Sequence, residues 1–192
     1  MLNIGVILGS TRPGRLGEQV AEWVMKLATD RNDASFTLID LADHPLPHLD
    51  ESTPPSLGRY EHDHTKKWAE TVDGFDGFVI VTPEYNHGPS GVLKNALDYV
   101  YGEWNDKAVG FVSYGSAGGT RAVEQLRQVV GELRMADVRN QVALPFATEF
   151  DRRVFDPTEA AAKALDGMLD QLVAWSGALE TVRKHQHGQD AR

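Results

Sequence analysis

The stretch 2-LNIGVIL-8, followed at once by 9-GSTRPGRLG-17, decides the fold. A short, almost continuous apolar run bounded by glycine is typical of a parallel strand that is covered on both faces. The spacing of Gly9 and Gly14 begins like the phosphate loop of a nucleoside triphosphatase, but Arg15 and Leu16 stand where that motif needs Lys and Ser or Thr. The stretch therefore predicts a strand, an anion-binding turn and a helix, without the hydroxyl group that would hold magnesium.

The alternation of apolar runs and helical patterns continues along the chain. Four more strands are predicted, at 36-FTLIDL-41, 77-GFVIVT-82, 108-AVGFVS-113 and 139-RNQVAL-144. Helical patterns lie at 20–28, 65–72, 89–100, 123–133 and 157–179. Five strands alternating with five helices predict an α/β fold: a flavodoxin-like, doubly wound five-stranded parallel sheet of order 2-1-3-4-5 with helices on both faces. Ligands of such folds bind beyond the carboxyl ends of the strands, so the loops after strands one, three and four are expected to carry the site.

Composition and charge limit the kind of protein. The chain has 192 residues, of which 41% are hydrophobic and 24% are charged, and it has no cysteine. We expect one domain over residues 1–182 and a polar C-terminal tail over 183–192. The formal net charge of −9 disfavours non-specific binding to nucleic acid or to an anionic membrane. No apolar stretch has the length of a membrane span and no secretion signal is evident, so we expect a cytoplasmic protein.

The first loop carries groups that bind an anion. Backbone N–H groups at the start of the following helix, and the positive end of its dipole, favour a phosphate there. Ser10 and Thr11 add hydroxyl donors, and Arg12 and Arg15 add guanidinium groups suited to a phosphate dianion. The first Gly-x-Gly of a dinucleotide fingerprint is missing, so a mononucleotide phosphate fits better than a pyrophosphate.

Two further loops offer a surface for a flat ring. The turn 82-TPEYNHGPSG-91 supplies a rigid backbone, an aromatic face and an amide through Pro83, Glu84, Tyr85 and Asn86. The turn 113-SYGSAGGT-120 is rich in glycine and serine, and its backbone N–H groups can form an anion nest. A phosphate at the first loop and a planar ring between the other two match flavin mononucleotide (FMN), whose reduced ring carries negative charge that N–H donors stabilise.

The same motifs carry a family resemblance. GSTRPGR, TPEYNHGPSGVLKNALDY and SYGSAGG together resemble the NAD(P)H-dependent FMN reductase family of the flavodoxin-like superfamily, over about residues 2–145. The resemblance implies that the FMN phosphate is surrounded by Ser10, Arg12, Arg15, Leu16 and Gly17. It also implies that the isoalloxazine ring is lined by Pro83, Glu84, Tyr85 and Asn86. The pyrimidine side of the ring would then be closed by Ser113, Gly115, Ser116, Gly118 and Gly119.

An activity and an assembly are implied in the same way. Enzymes of this family take a hydride from NADPH or NADH onto the flavin and pass two electrons to an acceptor such as a free flavin, a quinone, an azo compound or chromate. The cofactor carries the chemistry, so no catalytic side chain is assigned. Dimers of the family bury the helix that corresponds to 89–100, so the resemblance implies a homodimer or homotetramer through that helix. Its polar residues suit either an interface or solvent: Lys94, Asn95 and Asp98.

Other functions stay open at this point. A one-electron carrier of the flavodoxin type needs a low flavin potential, which the positive charge of Arg12 and Arg15 opposes. A non-catalytic FMN-binding sensor is also compatible with the sequence, and electron transfer from NADPH would separate it from an enzyme. A proline-rich segment over 43–62 and its surroundings contain four histidines: His44, His48, His62 and His64. Such a segment without cysteine is a poor host for a metal, so no metal site is expected.

Overall fold

A single parallel sheet of five strands forms the centre of the molecule. The computed structural model describes the backbone of residues 1–190 and the side chains of residues 1–185. The strands run in the order β2-β1-β3-β4-β5, as the sequence predicts, and every neighbouring pair is parallel. Their bounds are β1 Leu2–Leu8, β2 Ala34–Asp40, β3 Gly77–Pro83, β4 Ala108–Gly115 and β5 Ala136–Pro145.

Helices cover both faces of this sheet. They are α1 Gly17–Thr29, α2 Asp63–Asp73, α3 Gly91–Asp98, α4 Thr120–Glu132, the single turn α5 Phe146–Glu149, and α6 Glu159–Asp190. One hydrophobic cluster joins α1 and α6 to the sheet, and a second joins α2, α3 and α4 to its other face. Ile4 and Val6 belong to the first cluster and Ile7 to the second, since successive side chains of a strand point to opposite faces. Burial on both sides explains why the central strands are apolar throughout.

A small antiparallel hairpin lies between α5 and α6, where the sequence predicted no strand. It consists of β6 Phe150–Asp151 and β7 Val154–Phe155. Phe155 packs against Phe150 and against Trp23 of α1, with ring centroids 5.0 and 5.4 Å apart. Gln19 of α1 also bonds the hairpin, because its Oε1 accepts from the N–H of Phe155 at 2.9 Å. The hairpin is therefore fixed against the beginning of α1.

Several element boundaries differ from the sequence-based expectation. Strand β2 begins two residues before the predicted 36–41 and β5 three residues before the predicted 139–144. The last helix continues to Asp190, so most of the segment predicted as a polar tail forms its final turns, and residues 191–192 lie outside the described part. Among the helices described, none is long and apolar enough to cross a membrane.

Candidate functional site

A pocket of about 230 Å³ lies at the carboxyl edge of the sheet, where the order switches between β1 and β3. It contains six of the residues predicted for the site: Arg12, Arg15, Leu16, Pro83, Glu84 and Tyr85. Tyr114, which lies in the predicted third loop, also lines it, and two lining residues were not predicted: Phe146 and Arg153. Loop one (residues 9–17) and loop two (82–91) therefore meet as expected, and Arg153, between the strands of the hairpin β6–β7, adds a third wall.

Two tyrosines with hydroxyl groups line this pocket, Tyr85 and Tyr114, and the predicted Ser10 lies behind them without lining it. Ser10 is fully buried, and its Oγ shares a hydrogen bond of 2.9 Å with the hydroxyl of Tyr85. The Tyr114 hydroxyl is also close to Ser10. Burial raises the pKa of Tyr114 well above its ordinary value, and neighbouring Tyr85 adds to this, although the positive charges of Arg15 and Arg12 oppose it. Tyr114 thus keeps its proton at neutral pH and can donate a hydrogen bond to an anion.

Arg15 is held by the protein itself. Its guanidinium donates two parallel hydrogen bonds to Asp40 at the end of β2, of 2.8 and 2.5 Å, and a third of 3.0 Å to Glu18. It also donates to the backbone carbonyl of Ser10. The side chain is only 9% exposed. Arg15, which the sequence predicts at the phosphate, thus joins loop one to the end of β2 in this structure.

The start of α1 presents free backbone donors. Leu16 occupies the N-cap position without a side-chain cap, so the first N–H groups of α1 have no acceptor in the part of the chain that is described. Gly17 is required by packing, since a Cβ at this position would lie 2.5 Å from the Tyr114 hydroxyl and 2.7 Å from Leu8 Cδ1. The backbone at Gly17 thereby approaches the Tyr114 hydroxyl closely, and the N–H groups are available to an anion.

Loop two forms a tight turn that exposes an aromatic ring. Tyr85 and Gly88 exchange two backbone hydrogen bonds of 2.9 and 3.0 Å around Asn86 and His87. Both of these central residues have positive φ, 51° and 69°, which Asn tolerates better than most residues. The side chain of Tyr85 is 37% exposed at the mouth of the pocket. Asn86 is exposed and lies outside the pocket lining.

Glu84 joins loop two to α4. Its carboxylate forms an ion pair with Arg121 and accepts from the backbone N–H of Arg121 at 3.0 Å and of Ala122 at 3.4 Å. The side chain is 5% exposed. Burial raises the pKa of Glu84, but the hydrogen bonds from Arg121 and from the helix N–H groups outweigh burial, and the net pKa lies below its ordinary value. Part of the anion-binding capacity of the α4 N-terminus is therefore used by the protein.

Apart from Tyr114, the residues of loop three (113–120) do not line this pocket. Ser113 is buried, and its hydroxyl donates to the carbonyl of Gly118 at 2.7 Å, which fixes the turn. Gly118 and Gly119 have φ of 70° and 74°, and Gly115 accepts from the N–H of Gly118 at 3.1 Å. Ser116 and its neighbour Ala117 are exposed, and their N–H groups donate to no atom of the described residues. These two N–H groups are the donors that loop three can offer to a ligand.

Other features lie outside this pocket. A second cavity, of about 360 Å³, is lined by Thr11 of loop one, by His44 and by residues of α3, among others. Glu51, Glu61 and His62 bring possible metal-ligand atoms within 4.8 Å of one another. Because Glu51 accepts from the backbone N–H groups of Glu61 and His62, at 2.8 and 3.1 Å, local hydrogen bonding accounts for that proximity. We assign no metal there.

The polar side chains of α3 are bonded within the chain. Asn95 donates to the carbonyl of Pro47 at 2.7 Å and accepts from the N–H of Leu49 at 3.1 Å. Lys94 and Asp98 form an ion pair one turn apart, 2.6 Å long. The helix therefore anchors the proline-rich segment, and only part of its surface, including Val92, is left for another molecule.

A doubly wound parallel sheet with an anion-binding first loop defines a mononucleotide-binding protein of the flavodoxin-like class. The chain belongs to the NADPH-dependent FMN reductase family, which its residues 2–149 match. It is thus an oxidoreductase, and its cofactors are FMN and NAD(P)H.

Individual proteins show the same relationship. An NAD(P)H-dependent FMN reductase of Schizosaccharomyces pombe is 36% identical over 181 residues, covering 93% of this chain and 84% of the relative. A 2-hydroxy-1,4-benzoquinone reductase of Burkholderia sp is 30% identical over 185 residues, covering 91% and 96%. The structure of FerB, a flavoenzyme NAD(P)H:(acceptor) oxidoreductase from Paracoccus denitrificans, covers 93% of this chain and 98% of its own, with a TM-score of 0.71 at 23% identity. At that identity the likeness shows the fold.

Proposed function

We propose that FMN binds with its phosphate at loop one and its ring between loops two and three, and that the reduced protein passes two electrons to a planar acceptor of the quinone class. The observation that carries this proposal is the pocket at the β1/β3 switch, where free N–H groups, hydroxyl groups and arginine meet an exposed aromatic wall. This donor set fits a phosphate and a flat ring.

The phosphate end is assigned to the first loop. The side-chain donors assigned to it are Arg12, which lines the pocket, and Ser10, whose buried hydroxyl is bonded to that of Tyr85. Leu16 and Gly17 supply backbone N–H groups at the start of α1. Arg15 contributes by holding loop one in shape against Asp40. The dipole of α1 adds to the attraction, because its positive end faces the same point.

The ring end is assigned to the loops that follow β3 and β4. A volume of about 230 Å³ is below the roughly 300–1,000 Å³ of sites that enclose a drug-sized ligand, so the pocket would enclose one end of a mononucleotide. The rest would extend past Pro83, Tyr85 and Asn86 towards loop three, where the N–H groups of Ser116 and Ala117 are free. No side chain projects from that surface at the three glycines of loop three, Gly115, Gly118 and Gly119. The bond from Ser113 to Gly118 holds the turn in shape.

The chain's own residues position and shield the reacting groups. When bound, FMN supplies the chemistry that accepts a hydride from NAD(P)H and releases electrons to an acceptor. Loop two offers the exposed ring of Tyr85, and Phe146 offers a second apolar face across the pocket. The open mouth gives a flat acceptor direct access. A quinone is favoured because the 2-hydroxy-1,4-benzoquinone reductase matches 91% of this chain. Azo compounds, free flavins and chromate are further candidates.

The proposal is tested by an anaerobic titration of the FMN-loaded protein with NADPH and NADH, followed by addition of a benzoquinone. We expect complete two-electron bleaching of the flavin absorbance and its full recovery after one equivalent of quinone. Failure of both nucleotides to reduce the flavin, together with reduction by dithionite, would overturn the proposal in favour of a carrier or a sensor.

We also propose that the protein assembles as a homodimer or tetramer through α3. The exposed side chain of Val92 on that helix, beside Asn95 and the segment that it anchors, supports this assignment. Sedimentation of the purified protein, compared with a Val92→Lys variant, tests it.

A further inference from the structure

We propose that Arg153, on the hairpin β6–β7, is the second arginine that holds the cofactor phosphate, together with Arg12. This inference rests on the proposed function, because it assumes a phosphate at loop one. Arg153 lies beyond residues 2–149, the segment that matches the family. The hairpin nevertheless brings it to the wall of the pocket.

The first step of the argument is that Arg15 is already neutralised. Its guanidinium is paired with the two oxygens of Asp40 and with Glu18, and it is largely buried. To reach a phosphate it would have to leave these partners, which a bidentate carboxylate pair opposes. Arg15 therefore contributes little free positive charge to the pocket.

The second step is that Arg12 and Arg153, unlike Arg15, carry positive charges that no carboxylate of the described residues neutralises. Within the described residues neither of them pairs with a carboxylate, and both line the pocket. In a chain of net charge −9, two arginines that line one pocket without acidic partners among the described residues indicate an anionic ligand. One phosphate between them would accept a hydrogen bond from each guanidinium.

The third step is that Arg153 is held in place. Gln19 accepts from the N–H of Phe155 and donates to the carbonyl of Arg153 at 3.1 Å, so the hairpin backbone is bonded to α1. The guanidinium of Arg153 contacts loop one, where one of its nitrogens donates to the carbonyl of Gly14 at 2.7 Å. A guanidinium has five N–H donors, so most of them stay available for the phosphate.

The test compares two ligands that differ only in the phosphate. The dissociation constants of FMN and of riboflavin are measured by flavin fluorescence quenching for the wild type and for Arg153→Gln. We expect Arg153→Gln to weaken FMN binding about tenfold and to leave riboflavin binding within about twofold. Arg153→Lys keeps the positive charge but loses the planar set of N–H donors, so its dissociation constant for FMN should lie between those of the wild type and Arg153→Gln. Arg152→Gln is the matched control, because Arg152 is the neighbouring arginine, is exposed like Arg153, and does not line the pocket.

The outcomes separate this inference from the proposed site. Equal weakening of FMN and riboflavin in Arg153→Gln would show that Arg153 only supports loop one through Gly14, and the inference would fail. An unchanged preference for FMN in both Arg153 variants would also overturn it, while the phosphate site would stand. A wild type that binds FMN no more tightly than riboflavin would refute both.

Discussion

The brace between Arg15 and Asp40 gives the sharpest test of how loop one is built. In Asp40→Asn the carboxylate charge is lost, while an amide oxygen can still accept one of the two hydrogen bonds from Arg15. Among the described residues, the guanidinium, 9% exposed, then keeps Glu18 as its only charged partner, and that side chain is 57% exposed. Breaking a fully buried ion pair costs roughly 3–5 kcal/mol. Because Asp40 is itself 19% exposed and Glu18 remains, we expect about 2 kcal/mol of lost stability.

Urea unfolding at pH 7 measures this loss, and Asp33→Asn is the matched control. Asp33 also pairs with an arginine, Arg31, but Asp166 and Asp170 bind the same guanidinium. The control should therefore lose less than about 1 kcal/mol. If Asp40→Asn unfolds within about 0.5 kcal/mol of the wild type, the brace does not stabilise the fold and the reasoning fails.

The pH dependence of the same pair has a defined sign. Burial raises the pKa of Asp40, but hydrogen bonds from Arg15 and from the N–H of Ala42 lower it more, so the net pKa lies below its ordinary value. Such a group contributes stability that is fully present above its unfolded pKa, near 3.9, and is lost as the pH falls through its folded pKa. The difference between the wild type and Asp40→Asn should thus shrink below about pH 4.

Three further predictions concern other parts of the molecule. A Cβ at Gly119, where φ is 74°, would lie 2.7 Å from Ser113 Cβ, so Gly119→Ala should lower the free energy of unfolding by about 3 kcal/mol in a thermal unfolding experiment. At Gly131 a Cβ meets nothing within 4 Å, so Gly131→Ala should instead raise the free energy of unfolding by about 0.5–1 kcal/mol. Tyr85→Phe should keep FMN affinity within about threefold because the ring remains, whereas Tyr85→Ala should lose about tenfold by fluorescence titration; equal losses would contradict a ring contact. Burial lowers the pKa of Lys107 to about 8. Relative to Lys107→Met, the wild type should therefore become more stable as the pH rises from about 8 to about 10. Urea midpoints of the two proteins that change equally over this pH range would contradict this.

The sheet could be predicted because its signal is local and repeated. Each central strand is buried on both faces, so its apolar run is visible in the sequence. Glycine or proline lies at or next to most of the strand ends. The hairpin could not be predicted in this way, since each of its strands has two residues and shows no periodicity. Its position against α1 depends on Gln19, more than 100 residues earlier in the chain.

The site was predictable as a place and less so as a set of contacts. Arginine, serine and glycine in loop one indicate an anion, but nothing in the sequence says that Arg15 pairs with Asp40, at the end of a neighbouring strand. Likewise Glu84 follows β3 as a ring-lining residue should, while its carboxylate binds the N-terminus of α4. Partners distant along the chain decide which polar groups remain free for a ligand.

The bond between Glu84 and α4 has a consequence for the choice of electron acceptor. It joins the turn after β3 to the turn after β4, so the spacing of these two turns is set by a buried carboxylate before any ligand arrives. A cleft of fixed width selects molecules by their thickness, and the exposed backbone N–H groups nearby can donate hydrogen bonds to oxygen atoms of many different functional groups. We therefore expect the acceptors of this enzyme to be related by planarity more than by functional group, and bulky substituents out of the ring plane to be the feature that excludes a compound.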